Sequence, residues 1–309
     1  MFADYSSGEL MAIFAMQGFA GLILFSVFVL MALGLAIIFG QMGVINMAHG
    51  EFMILGAYVT YLTSTVFEAY LPGLFGIYFF LAMILAFIAS GALGMVVEWG
   101  LIRHLYKRPL DTLLATWGLS LILQQTYRSV FGAREVGVTI PNWMIGSMPL
   151  TDLIEVPING IFVMILAVSI SLAVYFMMFR STWGRQVRAI GQNRTMADAV
   201  GINTAWTDRL TFGIGCGVAG VAGSAFTMIG STGPTAGQLY IVDTFLVVVF
   251  GGAASLLGTI ASAFSISQAQ SIMEFFLSGS MAKVLTLLVV VGILMIRPQG
   301  LFAMKLRKA

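Results

Sequence analysis

Charged side chains are scarce in this chain of 309 residues, where Asp, Glu, Lys and Arg together make up 9%. Soluble domains typically contain about 25%, so the deficit excludes an ordinary soluble domain. Hydrophobic residues make up 59%, and the mean hydropathy is +0.98. Together with apolar runs of roughly 18 residues or more, these values predict an all-α polytopic membrane protein.

Cysteine and histidine are also nearly absent. Cys216 has no partner for an internal disulfide and lies in a glycine-rich segment, where we expect a small buried side chain. His49 and His104 do not supply a convergent acid, base or metal cluster. No Gly-x-x-x-x-Gly-Lys-Ser/Thr motif for nucleotide binding occurs in the sequence. The sequence predicts no enzyme, no catalytic residue, no metal site and no cofactor in this chain.

The few basic residues are concentrated in three clusters. The clusters are Arg103, Lys107 and Arg108; Arg180, Arg185, Arg188, Arg194 and Arg209; and Arg297, Lys305, Arg307 and Lys308. By the positive-inside rule, all three face the cytoplasm. This predicts a cytoplasmic C-terminus and a periplasmic N-terminus. The net charge of +2 therefore reflects membrane topology, and no nucleic-acid partner is expected.

The apolar segments predict about eight membrane elements within one domain, 1–309, built as two weakly related halves, 1–132 and 158–309. The predicted spans are 10–38, 52–67, 74–102, 112–131, 158–179, 210–230 and 284–296. The segment between 230 and 284 must begin and end on the outer side of the membrane, yet it is strongly apolar. We therefore predict a re-entrant element that descends to about residue 250, breaks at 251–258 and ascends to about 277.

Glycines and hydrogen-bonding side chains interrupt the apolar pattern between residues 40 and 51. They are Gly40, Gly43 and Gly50, interleaved with Gln41, Asn46, His49 and Glu51. Irregular backbone survives in hydrocarbon only where it is buried in protein or lines a wet cavity. Gly251, Gly252 and Gly258 mark the second predicted break, and two such breaks indicate a transport site near the midplane. Close helix packing is the alternative role for these glycines.

Few ionisable residues lie in the predicted spans. Glu98 and Lys283 are near span ends, where their side chains can reach the interface, and Asp243 and Glu274 are expected near the outer face. For His49 we favour a structural hydrogen bond over a proton relay.

A cytoplasmic loop at 180–209 separates the fifth and sixth spans. Thr195 can cap a short helix at 196–200 that Gly201 ends. Such a helix suits a groove on a partner protein, and an amphipathic connector on the inner leaflet is the alternative.

Several motifs resemble the permease subunits of branched-chain amino-acid-type ABC importers. One is Phe39-Gly40, Gly43, Asn46 and Ala48-His49-Gly50, continuing to Leu55-Gly56-Ala57-Tyr58. A second motif set comprises Gly184, Arg188-Ala189, Asn193, Ala197 and Gly201-Ile202, and a third is Arg297-Pro298-Gln299-Gly300-Leu301-Phe302. The resemblance covers nearly the whole chain. It implies that Gly184, Arg188, Ala197, Gly201 and Ile202, with Arg194 beside them, couple the permease to an ATPase.

The resemblance also implies partners and a location. A second homologous permease, two cytoplasmic ATPases that bind ATP and Mg, and an extracytoplasmic binding protein are expected in the bacterial inner membrane.

Residues 108–125, followed by Phe131-Gly132-Ala133, are similar to the family branch that imports urea. Urea is neutral, so its route needs amides, hydroxyls and backbone groups. Thr116, Ser120 and Gln124 share one helical face and are predicted to line it with Gln41, Asn46, His49 and Glu51. For that helical face, the alternative role is hydrogen bonding between helices. For the whole chain, the alternatives are a permease for branched-chain or other amino acids or short amides, and an ATP-independent urea or amide channel.

Overall fold

The computed structural model describes residues 7–106, 108–151, 154–252, 255–297 and 300. Eleven α-helices lie in these described ranges. They are α1 (Ser7–Met42), α2 (His49–Tyr70), α3 (Tyr78–Gly100), α4 (Pro109–Phe131), α5 (Ile158–Arg180), α6 (Thr182–Gln192), α7 (Arg194–Ala199), α8 (Thr204–Phe226), α9 (Ala236–Gly251), α10 (Leu256–Phe276) and α11 (Gly279–Ile296). Strands β1 (Ser147–Thr151) and β2 (Ile154–Pro157) form a small antiparallel hairpin. The predicted all-α membrane architecture is confirmed.

Six described helical segments are long and apolar enough to cross a membrane. They are Gly8–Met42, His49–Tyr70, Pro72–His104, Ile158–Arg180, Thr204–Phe226 and Gly279–Ile296. Two further predicted membrane elements, α4 and α10, have 23 and 21 residues but contain more polar side chains. The shorter apolar helix α9 and the ascending α10 form the predicted re-entrant element.

The interior of the bundle is built around α1, α2, α3 and α8. Small residues on the contact surfaces of α8 allow the backbones of neighbouring helices to approach closely. Such packing is typical of membrane helices, whose association is not driven by the hydrophobic effect. A Cβ atom added to Gly91 of α3 would lie 3.1 Å from the carbonyl oxygen of Gly213, and one added to Gly94 would lie 2.7 Å from Cβ of Cys216. Cys216 is fully buried, as expected.

The first helix break lies between Met42 and His49. Gly43 has a φ of +66°, which other residues rarely adopt, and it allows the chain to leave α1 and turn back. Gly40 is still helical, in the last turn of α1, and Gly50 belongs to the first turn of α2. Gly50 is therefore not part of the break itself, and it packs against the backbone of Gly237.

The second break separates α9 from α10. Gly252 has a φ of +87° and follows Gly251, the last residue of α9. Ser255 caps α10 by accepting a hydrogen bond from the backbone N–H of Gly258 at 3.0 Å. Gly258 is thus helical, which corrects its predicted place in the break. It packs against Gly251, where an added Cβ would lie 2.5 Å from the carbonyl of Gly258.

The loop 180–209 contains two helices where one was predicted. The amphipathic α6 was not predicted, and α7 begins at Arg194, two residues before the predicted start. Asn193 caps α7 by accepting a hydrogen bond from the N–H of Met196 at 3.0 Å, so the predicted cap at Thr195 is wrong. Lys107, Ala253, Ala254, Pro298, Gln299 and residues 301–309, including Lys305, Arg307 and Lys308, lie outside the described residues.

Candidate translocation site

The segment before α2 is held in place by side-chain acceptors. Asn46 Oδ1 accepts a hydrogen bond from the N–H of Ala48 at 3.1 Å, and Thr116 Oγ1 accepts one from the N–H of Met47 at 3.1 Å. These bonds occupy backbone donors that the helix itself leaves unpaired at its N-terminus. The start of α2 is thereby fixed against α4.

Glu51, in the first turn of α2, faces the polar side of α4. Its Oε1 accepts hydrogen bonds from Gln124 Nε2 at 2.8 Å and from Ser120 Oγ at 3.1 Å. Tyr127 donates its hydroxyl to the backbone carbonyl of Glu51 at 2.9 Å. We call Glu51, Thr116, Ser120, Gln124 and Tyr127 the polar seam. The seam unites four of the predicted pathway residues.

The Glu51 carboxylate keeps one unused acceptor. The residue is 1% exposed, yet its Oε2 atom has no hydrogen-bond partner among the described residues. Buried polar atoms in proteins are nearly always paired, and an unpaired one costs about 1–3 kcal/mol. An unpaired carboxylate oxygen beside a half-buried glutamine is therefore a place where the N–H group of a solute would be stabilised.

Two helices begin beside this carboxylate. Glu51 lies in the first turn of α2, and Gly237 lies in the first turn of α9. A Cβ added to Gly237 would lie 3.0 Å from Oε1 of Glu51. Helix N-termini carry partial positive charge, so the site offers a carboxylate acceptor and two positive helix ends together.

The polar seam lies about halfway along α4. Ser120 is 11 residues beyond Pro109, the first residue of a 23-residue helix. At 1.5 Å per residue, this places the Glu51 contact about 16 Å along a helix of about 34 Å.

Other predicted pathway residues lie outside the seam. His49 is fully buried, and its Nε2 lies 3.2 Å from the carbonyl of Met31, in keeping with the structural role favoured from sequence. Gln41, with Gly40 and Gly43, lines a separate cavity of about 1010 Å³ beside the basic residues Arg103 and Arg194.

Two members of the site were missed in the sequence. Tyr127 lies three residues after Gln124, whereas Thr116, Ser120 and Gln124 are four residues apart, so the spacing did not include it. The sequence around Gly237 contains no motif that would predict its approach to residue 51. Both residues make their contacts across long sequence separations.

The ionisable residues near the span ends have partners within the chain. Glu98 is buried, which corrects the expectation that its side chain reaches the interface, whereas the side chain of Lys283 is partly exposed and Glu274 is exposed, as expected. Glu98 is 1% exposed and accepts a hydrogen bond from the hydroxyl of Tyr106 at 2.7 Å. Lys283 of α11 forms an ion pair of 3.2 Å with Asp243 of α9. Glu274 accepts a hydrogen bond from Gln270 at 3.0 Å.

The predicted coupling residues make contacts within the chain. Gly184 packs against the backbone of Met178, and Arg188 donates a hydrogen bond to the carbonyl of Met178. Ala197 is 3% exposed, and its carbonyl accepts a hydrogen bond from the N–H of Ile202 at 3.1 Å.

Gly201 lies two residues after the end of α7 and has a φ of +87°. Arg194 forms an ion pair of 2.6 Å with Asp208. The coupling segment is therefore anchored to the membrane helices, and its role toward an ATPase stays a prediction.

A polytopic bundle with two broken helices and a polar seam about halfway along α4 is typical of a membrane transport protein. Comparison with known proteins places the chain more closely. A family model described as "Branched-chain amino acid transport system / permease component" matches residues 18–296. The chain belongs to this family.

Curated relatives align over nearly the full length. The "High-affinity branched-chain amino acid transport system permease protein LivH" of Salmonella typhimurium is 26% identical over 297 residues, covering 93% of this chain and 95% of the relative. The LivH protein of Escherichia coli (strain K12) is 27% identical over 303 residues, with the same coverage.

A "Probable branched-chain amino acid transport permease protein LivH" from Methanocaldococcus jannaschii is 25% identical over 306 residues, covering 93% and 92%. These relatives are named as transport permeases and not as enzymes. No solved structure gives a significant match.

Proposed function

We propose that this chain is the membrane-spanning subunit of an ATP-driven importer and that the polar seam forms part of its route for a small nitrogen-containing solute. The observation that carries the proposal is the buried Glu51 carboxylate, bonded to Ser120 and Gln124 and with Oε2 unpaired. A carboxyl oxygen accepts hydrogen bonds, so the unpaired Oε2 favours solutes with N–H groups over apolar molecules of similar size.

A branched-chain amino acid is the first candidate substrate. The relatives that align over 93% of the chain carry this substrate in their names. An amino acid is a zwitterion that needs a partner for each charge. In the seam, Glu51 would accept the ammonium group, and the first turns of α2 and α9 would face the carboxylate.

Urea is the second candidate, and a different observation favours it. Residues 108–125 are similar to the urea-importing branch, and they include the seam residues Thr116, Ser120 and Gln124. Urea has four N–H donors and one carbonyl acceptor. Glu51 and Ser120 can accept from its N–H groups, and Gln124 can donate to its carbonyl, without any basic side chain in the seam.

The importer that we propose has further subunits. Two cytoplasmic ATPases, an extracytoplasmic binding protein and a second homologous permease complete it in the bacterial inner membrane. The positive-inside rule, applied to the basic clusters, supports a location of the loop 180–209 on the ATPase side.

Uptake by the reconstituted complex tests both the mechanism and the substrate. The complete importer is placed in proteoliposomes with its binding protein, and uptake of labelled leucine and labelled urea is measured with and without ATP. ATP-dependent uptake of leucine that excess urea does not inhibit supports the first candidate, and the reverse pattern supports the second.

The same experiment can reject the proposal. Uptake of neither solute would reject both substrates. If this chain alone, without ATP, gave the same uptake as the complete importer with ATP, the chain would be a channel and not an importer subunit.

A further inference from the structure

Arg194 of the coupling segment is bound to the first turns of α8. Its guanidinium lies 2.6 Å from Oδ2 of Asp208, whose side chain is only 5% exposed. The side chain of Arg194 is 44% exposed, so the arginine reaches inward from the surface to a buried acid. The family resemblance implies that Arg194 helps to couple the permease to an ATPase, and the structure shows that its guanidinium pairs with an acid of its own chain.

Tyr106 and Glu98 extend this contact to α3. The guanidinium carbon of Arg194 lies 5.0 Å from the centre of the Tyr106 ring, a cation–π geometry. The Tyr106 hydroxyl donates to Glu98 Oε1 at 2.7 Å, and Arg209 Nε lies 3.4 Å from Glu98 Oε2. Burial and the carboxylate of Asp208 raise the pKa of Tyr106 well above its usual value, so its hydroxyl stays a donor.

These five residues come from four parts of the chain: the end of α3, the loop after it, α7 and the start of α8. We call Glu98, Tyr106, Arg194, Asp208 and Arg209 the cytoplasmic clamp. Both acids are buried and both have a cationic partner, so separating the segments would leave a buried charge unpaired.

We propose that Asp208 and Glu98 are positioning residues that hold α7 to α8 and α3, so that a displacement of α7 moves α8 as one body with it. This inference rests on the proposed function, in which an ATPase moves α7. It assigns to Arg194 a role within the permease, in place of direct coupling to an ATPase.

The packing of α8 gives this displacement a path to the polar seam. Gly223 of α8 lies against the backbone of Met53, and Gly220 lies against Gly56, both on α2. Met53 is two residues from Glu51 on the same helix. Close-packed backbones cannot slide past one another freely, so a shift of α8 displaces the start of α2.

Charge removal and charge exchange in the complete importer test the clamp. Asp208→Asn and Arg194→Gln each remove one charge, and the double variant Arg194→Glu/Asp208→Arg restores an opposite pair. Binding-protein-stimulated ATP hydrolysis and solute uptake are measured together. We expect the single variants to lower uptake per ATP by about tenfold and the double variant to recover part of the loss.

Arg108→Gln is the matched control. Arg108 lines the same cavity as Arg194, and among the described residues its one ion pair is with the exposed Asp111, at 3.5 Å. Its removal should leave uptake per ATP unchanged. An unchanged ratio in Asp208→Asn, or an equal loss in Arg108→Gln, would overturn the proposal.

Hydrogen exchange provides a readout that is independent of transport. In Asp208→Asn, amides of residues 194–199 should exchange faster, while those of α1 stay protected. Equal protection of 194–199 would overturn the clamp. Absence of ATP-driven uptake in the unmodified importer would count against the proposed function alone. If Asp208→Asn does not assemble, Tyr106→Phe, which removes only the hydroxyl donor, takes its place in the same measurements.

Discussion

Gly56 of α2 and Gly220 of α8 lie in direct backbone contact. A Cβ atom added at Gly56 would lie 2.5 Å from Cα and 2.6 Å from the carbonyl carbon of Gly220. Neither helix can yield locally, because Gly220 is also packed against Ser90 and the Ala86 carbonyl of α3. The contact therefore fixes the spacing of α2, α3 and α8.

Gly56→Ala should destabilise the protein. Overpacking of a close contact typically costs about 1–3 kcal/mol, and here only backbone could move. Gly118→Ala in α4 is the control, since a Cβ at Gly118 meets no atom within 4 Å. The expected result is a lower midpoint of thermal unfolding in detergent for Gly56→Ala and no decrease for Gly118→Ala. Equal midpoints would show that the bundle relaxes around residue 56.

Gln124→Leu should reduce uptake more than Gln125→Leu. Gln124 donates to Glu51 at 2.8 Å, whereas its neighbour Gln125 is exposed. Loss of a hydrogen bond that leaves a buried partner unpaired costs about 1–3 kcal/mol, or roughly tenfold or more in a rate or affinity. Uptake rates of the two variants, normalised to assembled complex, provide the measurement. Similar rates would argue that the seam only joins two helices.

Gly201→Asn should be tolerated, and Gly201→Val should not. The φ of Gly201 is +87°, and the space around its Cβ position is open within this chain. Asparagine enters the left-handed region far more readily than a β-branched residue. ATP hydrolysis by the complex is therefore expected to survive in Gly201→Asn and to fall in Gly201→Val. If both variants fail equally, the size of the side chain against a partner matters, and the backbone conformation does not.

Thiol labelling tests the predicted orientation. Asn142 and Arg194 are both exposed, and the native Cys216 is buried, so it should not react. A membrane-impermeant reagent applied from outside should modify Asn142→Cys and spare Arg194→Cys in intact cells. Inverted vesicles should give the opposite result. Labelling of residue 194 from outside would reverse the map drawn from the basic clusters.

Residue patterns predicted the parts of the fold that depend on local composition. Both breaks were located, because Gly43 and Gly252 must adopt a positive φ and hydrocarbon tolerates few such interruptions. The four-residue spacing of Thr116, Ser120 and Gln124 also predicted which face of α4 is polar. Such features require only the chain on either side of them.

Pairings across the bundle could not be read from one sequence. Glu51 meets Ser120 across 69 positions, and Glu98 meets Arg209 across 111. The position of Glu98 near a span end suggested that its side chain reaches the interface, but a buried acid can instead pair with Arg209 and Tyr106 inside the bundle. The cap of α7 was misplaced because Asn193 and Thr195 are both favourable cap residues.

The polar seam joins two parts of unequal stiffness. Helix α2 is locked to α8 by backbone contacts that no rearrangement of side chains can replace, whereas α4 meets the bundle mainly at α2. The outward face of α4 carries the exposed apolar residues Leu110, Leu114 and Trp117. Hydrogen bonds at the seam can be exchanged for bonds to a solute at little net cost, because the number of bonds is conserved. In the proposed route, a solute that enters between α2 and α4 would take over the hydrogen bonds that the two helices release, while the contact of α2 with α8 stays in place.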